Sequence, residues 1–305
     1  MAAFTAKDVQ ELRAQTSCGM MDCKNALTQA DGDMEKAIEI LREKGLAAAT
    51  KKAGRIAAEG MVATLVEGDA GVVVEVNCET DFAAKSDKFV EFVNCIAKTT
   101  LDANPADLDA LMVVKACGTD MTVEELLRDK ILTIGENIKI RRFYRMEGAL
   151  STYVHGGGRI GVMVKFDTDL GDKDAFKAYG KDVAMQIAAM NPLYLDPAHV
   201  PAEDLAKEKE ILMAQIQNDE KSKNKPEQVI EKMVTGRLNK FYKEVTLTEQ
   251  AFIKDGDLSV AKYTENVAKE LGGKIAIDSY LRIERGEGLE KRSDNFADEV
   301  ASMVK

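Results

Sequence analysis

Gly71-Val72-Val73-Val74-Glu75-Val76 returns, about 90 positions later, as Gly161-Val162-Met163-Val164-Lys165-Phe166. Each run is short, rich in β-branched residues and opened by glycine, which reads as a largely buried strand. A matching segment precedes each one. Glu59-Gly60-Met61-Val62 with a turn at Gly68 leads into the first, and Glu147-Gly148-Ala149-Leu150 with a turn at His155–Gly158 leads into the second. Each predicted hairpin is followed by an acidic turn and an amphipathic helix. These helices are Asp87–Thr99, with Phe89 and Phe92, and Asp174–Met190, with Phe176 and Tyr179. The offset is longer than the repeats of solenoids, so it implies two homologous α+β halves with antiparallel sheets. A third strand closes each half, Asn137–Phe143 in the first and Ser279–Arg285 in the second, both alternating with period two. The first half spans 59–146; the second spans 147–200 and 246–292.

Three short amphipathic helices fill the head, residues 1–45. Thr5 can cap the first, which turns Val9 and Leu12 inward. The second follows Gly19 with Met20, Met21, Cys23, Ala26 and Leu27, and Asp31-Gly32 is a turn signal. The third runs from about Met34 to Lys44, with Gly45 as its stop. Residues 46–58 form an Ala/Lys-rich linker, favouring a helix broken at Gly54, and read as a tether. An insertion at 201–245 is dense in Lys and Glu around a thin apolar seam of Leu205, Leu212, Ile216, Val229, Met233 and Phe241. Lys221–Pro226 interrupts it, which fits a protruding antiparallel helical hairpin; two surface helices lying flat on a sheet are the alternative. Residues 293–305 are expected to form a C-terminal helix.

A chain of 305 residues exceeds the usual single core. Its 45% hydrophobic and 31% charged residues suit a globular protein. The net charge of −10 argues against nucleic acid as a direct partner, since phosphate binding needs a basic face. No stretch is apolar enough to span a bilayer, and Met1–Asp8 lacks the pattern of a secretory signal. The five cysteines are odd in number and sit in apolar patterns, so they read as reduced core residues of a cytoplasmic protein.

Several patterns suggest chemistry and fail. Gly156–Gly161 matches G-x-G-x-x-G but joins two strands, where no helix N-terminus can meet a pyrophosphate. His155-Gly156-Gly157-Gly158 resembles an esterase oxyanion segment, yet no G-x-S-x-G nucleophile elbow occurs. Two histidines and one Cys18-x4-Cys23 pair do not make a tetrahedral metal site, and there is no phosphate-binding P-loop. No enzyme activity, metal or cofactor is expected. The segment that stands out is Thr80-Asp81-Phe82, where a buried strand runs into a polar turn bearing one aromatic beside one carboxylate. On residue chemistry alone, Phe82 is expected to fold back onto its own core.

Thr16–Leu27 and Val76–Phe82 together resemble bacterial-type elongation factor Ts. So do Ile134-Gly135-Glu136-Asn137-Ile138, His155-Gly156 with Arg159–Val162, Glu231–Val234 with Gly236-Arg237, and Asn295–Val300. The resemblance covers essentially the whole chain. It implies a guanine-nucleotide exchange factor for the GTPase elongation factor Tu, in its nucleotide-free and GDP-bound forms. It also implies a helical head, a two-part core and a protruding hairpin. The residues it implies for partner binding are Leu12, Arg13, Met20 and Met21 in the head, Asp81 and Phe82 near the GTPase magnesium and phosphate sites, Ile134 and Gly135, and His155. Thr80, Asp81, Phe82 and Ala83 form the implied magnesium-dislocating segment, Ala83 replacing a bulkier residue. Residues 101–130 match poorly and carry no assigned role. The head's short helices and Gly19-Met20 loop also resemble ubiquitin-associated domains, which leaves a ubiquitin-like partner as a competing reading.

Overall fold

The structure, a computed structural model, describes residues 4–16, 18–171, 173–219 and 225–290. The expected C-terminal helix at 293–305, with Asn295–Val300, and the interruption at 221–224 lie outside the described residues.

The head comprises α1 (Ala6–Thr16), α2 (Met20–Gln29) and α3 (Met34–Lys52). Thr5 and Asp8 cap α1 reciprocally, the Thr5 N–H donating to the Asp8 carboxylate at 2.6 Å. Asp31 and Gly32 turn the chain with positive φ, and the Asp33 carboxylate caps α3 by accepting from the Lys36 N–H at 3.1 Å. Val9, Leu12, Cys23, Ala26, Leu27, Ala37 and Leu41 form the small core. One expectation fails here. Gly45 does not stop α3; the helix continues through it to Lys52. Packing on the later helix Val123–Ile134 keeps it going: Gly45 is buried against the Arg128 backbone.

The body follows as β1 (Glu59–Glu67), β2 (Ala70–Cys78), α4 (Asp81–Ala84), α5 (Asp87–Ala103), α6 (Leu108–Met112), α7 (Val123–Ile134) and β3 (Lys139–Glu147). The second half has β4 (Ala149–His155), β5 (Ile160–Thr168), α8 (Asp174–Met190), α9 (Ala202–Asn218) and α10 (Glu227–Val245). It ends with β6 (Ala251–Phe252), β7 (Asp255–Ser259), α11 (Val260–Leu271) and β8 (Ile275–Glu284). Two three-stranded antiparallel sheets run β1-β2-β3 and β4-β5-β8, and β6 pairs with β7 in a third.

Four details mark the halves as copies. A register shift falls between Glu75 and Val76 in β2 and between Lys165 and Phe166 in β5, the same place in each repeat. Gly60 and Gly148 share a φ of +126° and +124°. Asn104 and Asn191 end α5 and α8 in the left-handed conformation, at φ +45° and +46°. Gly71 and Gly161 both leave room for the other sheet, since a Cβ on either would be driven into side chains across the interface. The sheets meet through Val62, Val73, Met163 and Ile283. Helices cover their outer faces, with Phe89 and Phe92 buried from α5, and Phe176 and Tyr179 from α8.

The head does not hang on a tether. α3 lies along α7, and the Lys52 ammonium donates to the Ile131 carbonyl at 3.2 Å. Residues 123–130, at the end of the stretch that matched poorly, thus form the first part of the helix that carries the head. α9 and α10 pack on each other, and neither makes more than incidental contact with a sheet. Their buried residues are Leu212, Ile216 and Leu238; Leu205, Met233 and Phe241 are half-buried, and Val229, expected in the seam, is exposed. The cysteines are all free, but only Cys18, Cys23 and Cys78 are buried. Cys95 is half-buried and Cys117 exposed, so the core reading fails for those two.

Candidate functional site, an outward aromatic turn

β2 ends at Cys78, and α4 begins three residues later as a single turn. Thr80 has extended backbone and caps that turn, its Oγ1 accepting from the Ala83 N–H at 3.1 Å. Ser86 closes the far side by donating its hydroxyl to the Ala83 carbonyl at 2.7 Å. Ala83 and Ala84 are buried against the first sheet and α5. Neighbours on a helix point about 100° apart, so seating the two alanines inward forces their predecessor outward. Phe82 is 83% exposed. The expectation that it folds back on its core is overturned by those two small residues.

Asp81 is also exposed and pairs with the Lys85 ammonium at 2.6 Å. That hydrogen bond and the lysine charge hold its carboxyl below the usual carboxylate range. The corresponding turn of the second half lacks this arrangement, because Leu170 is buried.

A polar knot fixes the turn from behind. The Glu136 carboxylate accepts from the Glu79 and Thr80 N–H groups, both at 3.0 Å, and from the Thr80 hydroxyl at 2.6 Å. In return, the Glu79 carboxylate accepts from the Asn137 N–H at 2.7 Å and from Arg55 at 3.3 Å. The Asn137 side-chain amide donates to the Arg55 carbonyl at 2.7 Å. The knot therefore joins the strand exit, the end of α7 and the connector below the head. Ile134 is half-buried at the last position of α7, and Gly135 caps that helix at φ +89°. These two anticipated residues lie one and two positions from Glu136, so they share a neighbourhood with Thr80–Phe82. Glu136 itself, with Glu79, Arg55 and Asn137, was not singled out by sequence reasoning. Glu79, Glu136 and Asn137 lay in stretches that carry the family resemblance, but nothing local announces a contact so far along the chain.

The other anticipated residues are dispersed. Arg13 is exposed, as are Met20 at 46% and Met21 at 63%. Both methionines sit in the first turn of α2, above the head core. Leu12 is wholly buried in that core, so its expected place on a contact surface is corrected to structural support for α1. His155 is exposed at the end of β4, with its Nδ1 3.1 Å from the Tyr153 hydroxyl. Gly156, Gly157 and Gly158 turn from β4 to β5 with φ of +59°, +63° and +95°, as the hairpin reading required.

Among the described residues, no group of three or more His, Cys, Asp or Glu is placed to hold a metal ion. Burial pushes the Cys78 thiol up to about 12, which makes it a poor nucleophile. No helix among the described residues is long and apolar enough to cross a membrane.

The family model described as Elongation factor TS matches residues 79–287. The chain belongs to the elongation factor Ts family. Elongation factor Ts of Syntrophotalea carbinolica is 51% identical over 305 residues, covering 99% of each chain. That of Clostridium perfringens strain 13 is 51% identical over 305 residues, covering 98% of this chain and 99% of the relative. The elongation factor Ts of Clostridium botulinum strain Eklund 17B is 46% identical over 306 residues, with 99% of both covered. The stretch matching the elongation factor Ts model begins at Glu79, within the polar knot, and includes the aromatic turn, Ile134-Gly135 and His155. The head lies before that stretch, and the similarity to the elongation factor Ts relatives runs through it.

Proposed function

We propose that this chain is a guanine-nucleotide exchange factor for elongation factor Tu that releases GDP by disturbing the GTPase's magnesium and phosphate sites. The observation that carries this reading is the 83% exposure of Phe82 on a capped, tethered turn. A large aromatic held outward on rigid backbone is costly to leave in water and gains on insertion into a partner.

Exchange is negative coupling between two ligands of one GTPase. A factor that weakens nucleotide binding is itself weakened by nucleotide in the same ratio. Magnesium and the phosphate-binding loop supply most of the grip on a nucleotide, so they are efficient targets. Phe82 acts as a wedge against a GTPase helix, with about 2 kcal/mol of apolar anchoring. Asp81 exchanges Lys85 for hydrogen bonds around the metal's surroundings. Ala83 keeps the turn seated from below. Met20 and Met21 give the head an adaptable apolar contact beside Arg13. Ile134, Gly135 and His155 extend the contact along the body. The chain makes and breaks no covalent bond in this cycle, and it works in the cytoplasm without a direct nucleic-acid or membrane partner.

Stopped-flow release of labelled GDP from elongation factor Tu tests the wedge. Phe82→Ala is expected to slow release at saturating factor, and unchanged rates would remove Phe82 from the mechanism. Capture of a ubiquitin-like protein in place of the nucleotide-free GTPase would favour the competing reading of the head.

A further inference from the structure

We infer that Glu136 is a positioning residue for exchange, fixing where the Phe82 turn stands relative to the head. The inference rests on the proposed role of Phe82 and extends it to a residue that touches neither nucleotide nor magnesium.

The α4 turn cannot hold its own position. It is one turn long, and a helix so short has little stability by itself. Its inward contacts are two alanine methyls, which are small enough to let the turn roll. What fixes its roll is the Thr80 cap, and Thr80 is held by Glu136 through both its N–H and its hydroxyl. The geometry engages both oxygens of the carboxylate. Oε2 takes two N–H groups from consecutive residues, and Oε1 takes the hydroxyl. The same hydroxyl oxygen then accepts from the Ala83 N–H, so Glu136 also sets the direction of the cap. Bonds to an ionised acceptor are shorter and stronger than neutral ones.

The far end of this arrangement is α7. Glu136 follows its glycine cap, and α7 also carries α3, through Gly45 on the Arg128 backbone and Lys52 on the Ile131 carbonyl. Phe82 is thereby referenced to the helix that supports Met20 and Met21. Small misplacements of a group acting on a reacting site carry large rate costs. A loosened turn should insert less well even though its aromatic side chain is intact.

The experiment measures, for each variant, the maximal GDP release rate and the ratio of affinities for nucleotide-free and GDP-bound elongation factor Tu. Glu136→Ala is expected to lower both by about tenfold. Glu136→Gln keeps one oxygen to accept from the two N–H groups but not the one for the Thr80 hydroxyl, and is expected to recover part of that loss, which a simple need for charge would not allow. Amide exchange should show lost protection at Glu79 and Thr80 in Glu136→Ala, with Val73 and Val74 in β2 still protected. That pattern separates a loosened turn from a failed fold.

The deciding arm is Glu136→Ala in a Phe82→Ala background, where no further loss is expected because the residue acts through Phe82. An equal further loss there would overturn the inference in favour of a general structural role. So would wild-type rates and affinity ratio in Glu136→Ala alone while Phe82→Ala is impaired. If Phe82→Ala itself behaves as wild type, the wedge reading fails, and this inference fails with it.

Discussion

The Gly286 N–H donates to the Glu75 carboxylate at 2.8 Å, tying the loop after the last strand of the second sheet to the middle strand of the first. Glu75 is wholly buried and also accepts from Arg141 at 3.0 Å and from Arg142 at 2.6 Å. The equivalent residue in the second half, Lys165, is partly exposed and pairs with Asp278 at 3.7 Å. The duplication has thus been broken at its centre, and one copy has become a buried ionic clasp within the first sheet, tied to the second half by a backbone N–H.

Breaking a buried pair leaves its partners uncompensated. Glu75→Gln is expected to destabilise the protein by about 3 kcal/mol in denaturant unfolding. Burial alone would raise the Glu75 carboxyl. The Gly286 N–H and the guanidinium groups of Arg142 and Arg141 outweigh that and hold it below its ordinary value of 4.5. A depressed folded value stabilises above the unfolded one and is lost as pH falls through the folded value. The stability gap between wild type and Glu75→Gln should therefore be full at pH 6 to 7 and shrink below about pH 4.5. A gap that stays constant into acid would mean the ionised clasp contributes nothing.

Gly60 and Gly148 share one strained φ but not one environment. A Cβ at Gly60 would be driven into the Val76 carbonyl oxygen, whereas one at Gly148 meets only the flexible end of Lys165, at 3.2 Å. Gly148→Ala should cost about 1–2 kcal/mol from backbone strain. Gly60→Ala should cost clearly more, because backbone must move. Equal losses in thermal unfolding would contradict this asymmetry.

Gly45 gives a prediction of opposite sign. It lies inside α3 with negative φ, and an added Cβ would stand 3.5 Å from the Arg128 carbonyl, an ordinary contact. Gly45→Ala should therefore stabilise the protein by about 0.5–1 kcal/mol through helix propensity. Were Gly45 a left-handed stop, the same change would destabilise, so the sign of the shift in melting temperature decides.

Phe82→Ala should leave unfolding free energy within about 0.5 kcal/mol of wild type, since an exposed side chain contributes little to the fold. A loss of 2 kcal/mol or more would place Phe82 in the core after all.

The sequence disclosed most where the signal was periodic and local. Runs of β-branched residues, the glycines that open each strand and the buried aromatics of α5 and α8 made the duplicated halves legible. Even the place of the aromatic turn could be read. Its outward direction could not, because that depends on Ala83 and Ala84 being seated, a matter of tertiary fit. Gly45 misled for a related reason. A helix-ending glycine and one inside a helix packed on a neighbour look alike until the neighbour is known. Glu136 was hidden because a carboxylate aimed at Thr80 leaves no periodic trace.

On the proposed function, the packing of α3 on α7 would make the head and the aromatic turn the two jaws of a calliper. α3 has 19 residues and so is about 28 Å long. With one end fixed to the turn's own support, the gap between Met21 and Phe82 is set before any partner arrives. A surface complementary to only one jaw closes half the grip. Partner choice would then be a measurement of distance as much as a matching of side chains.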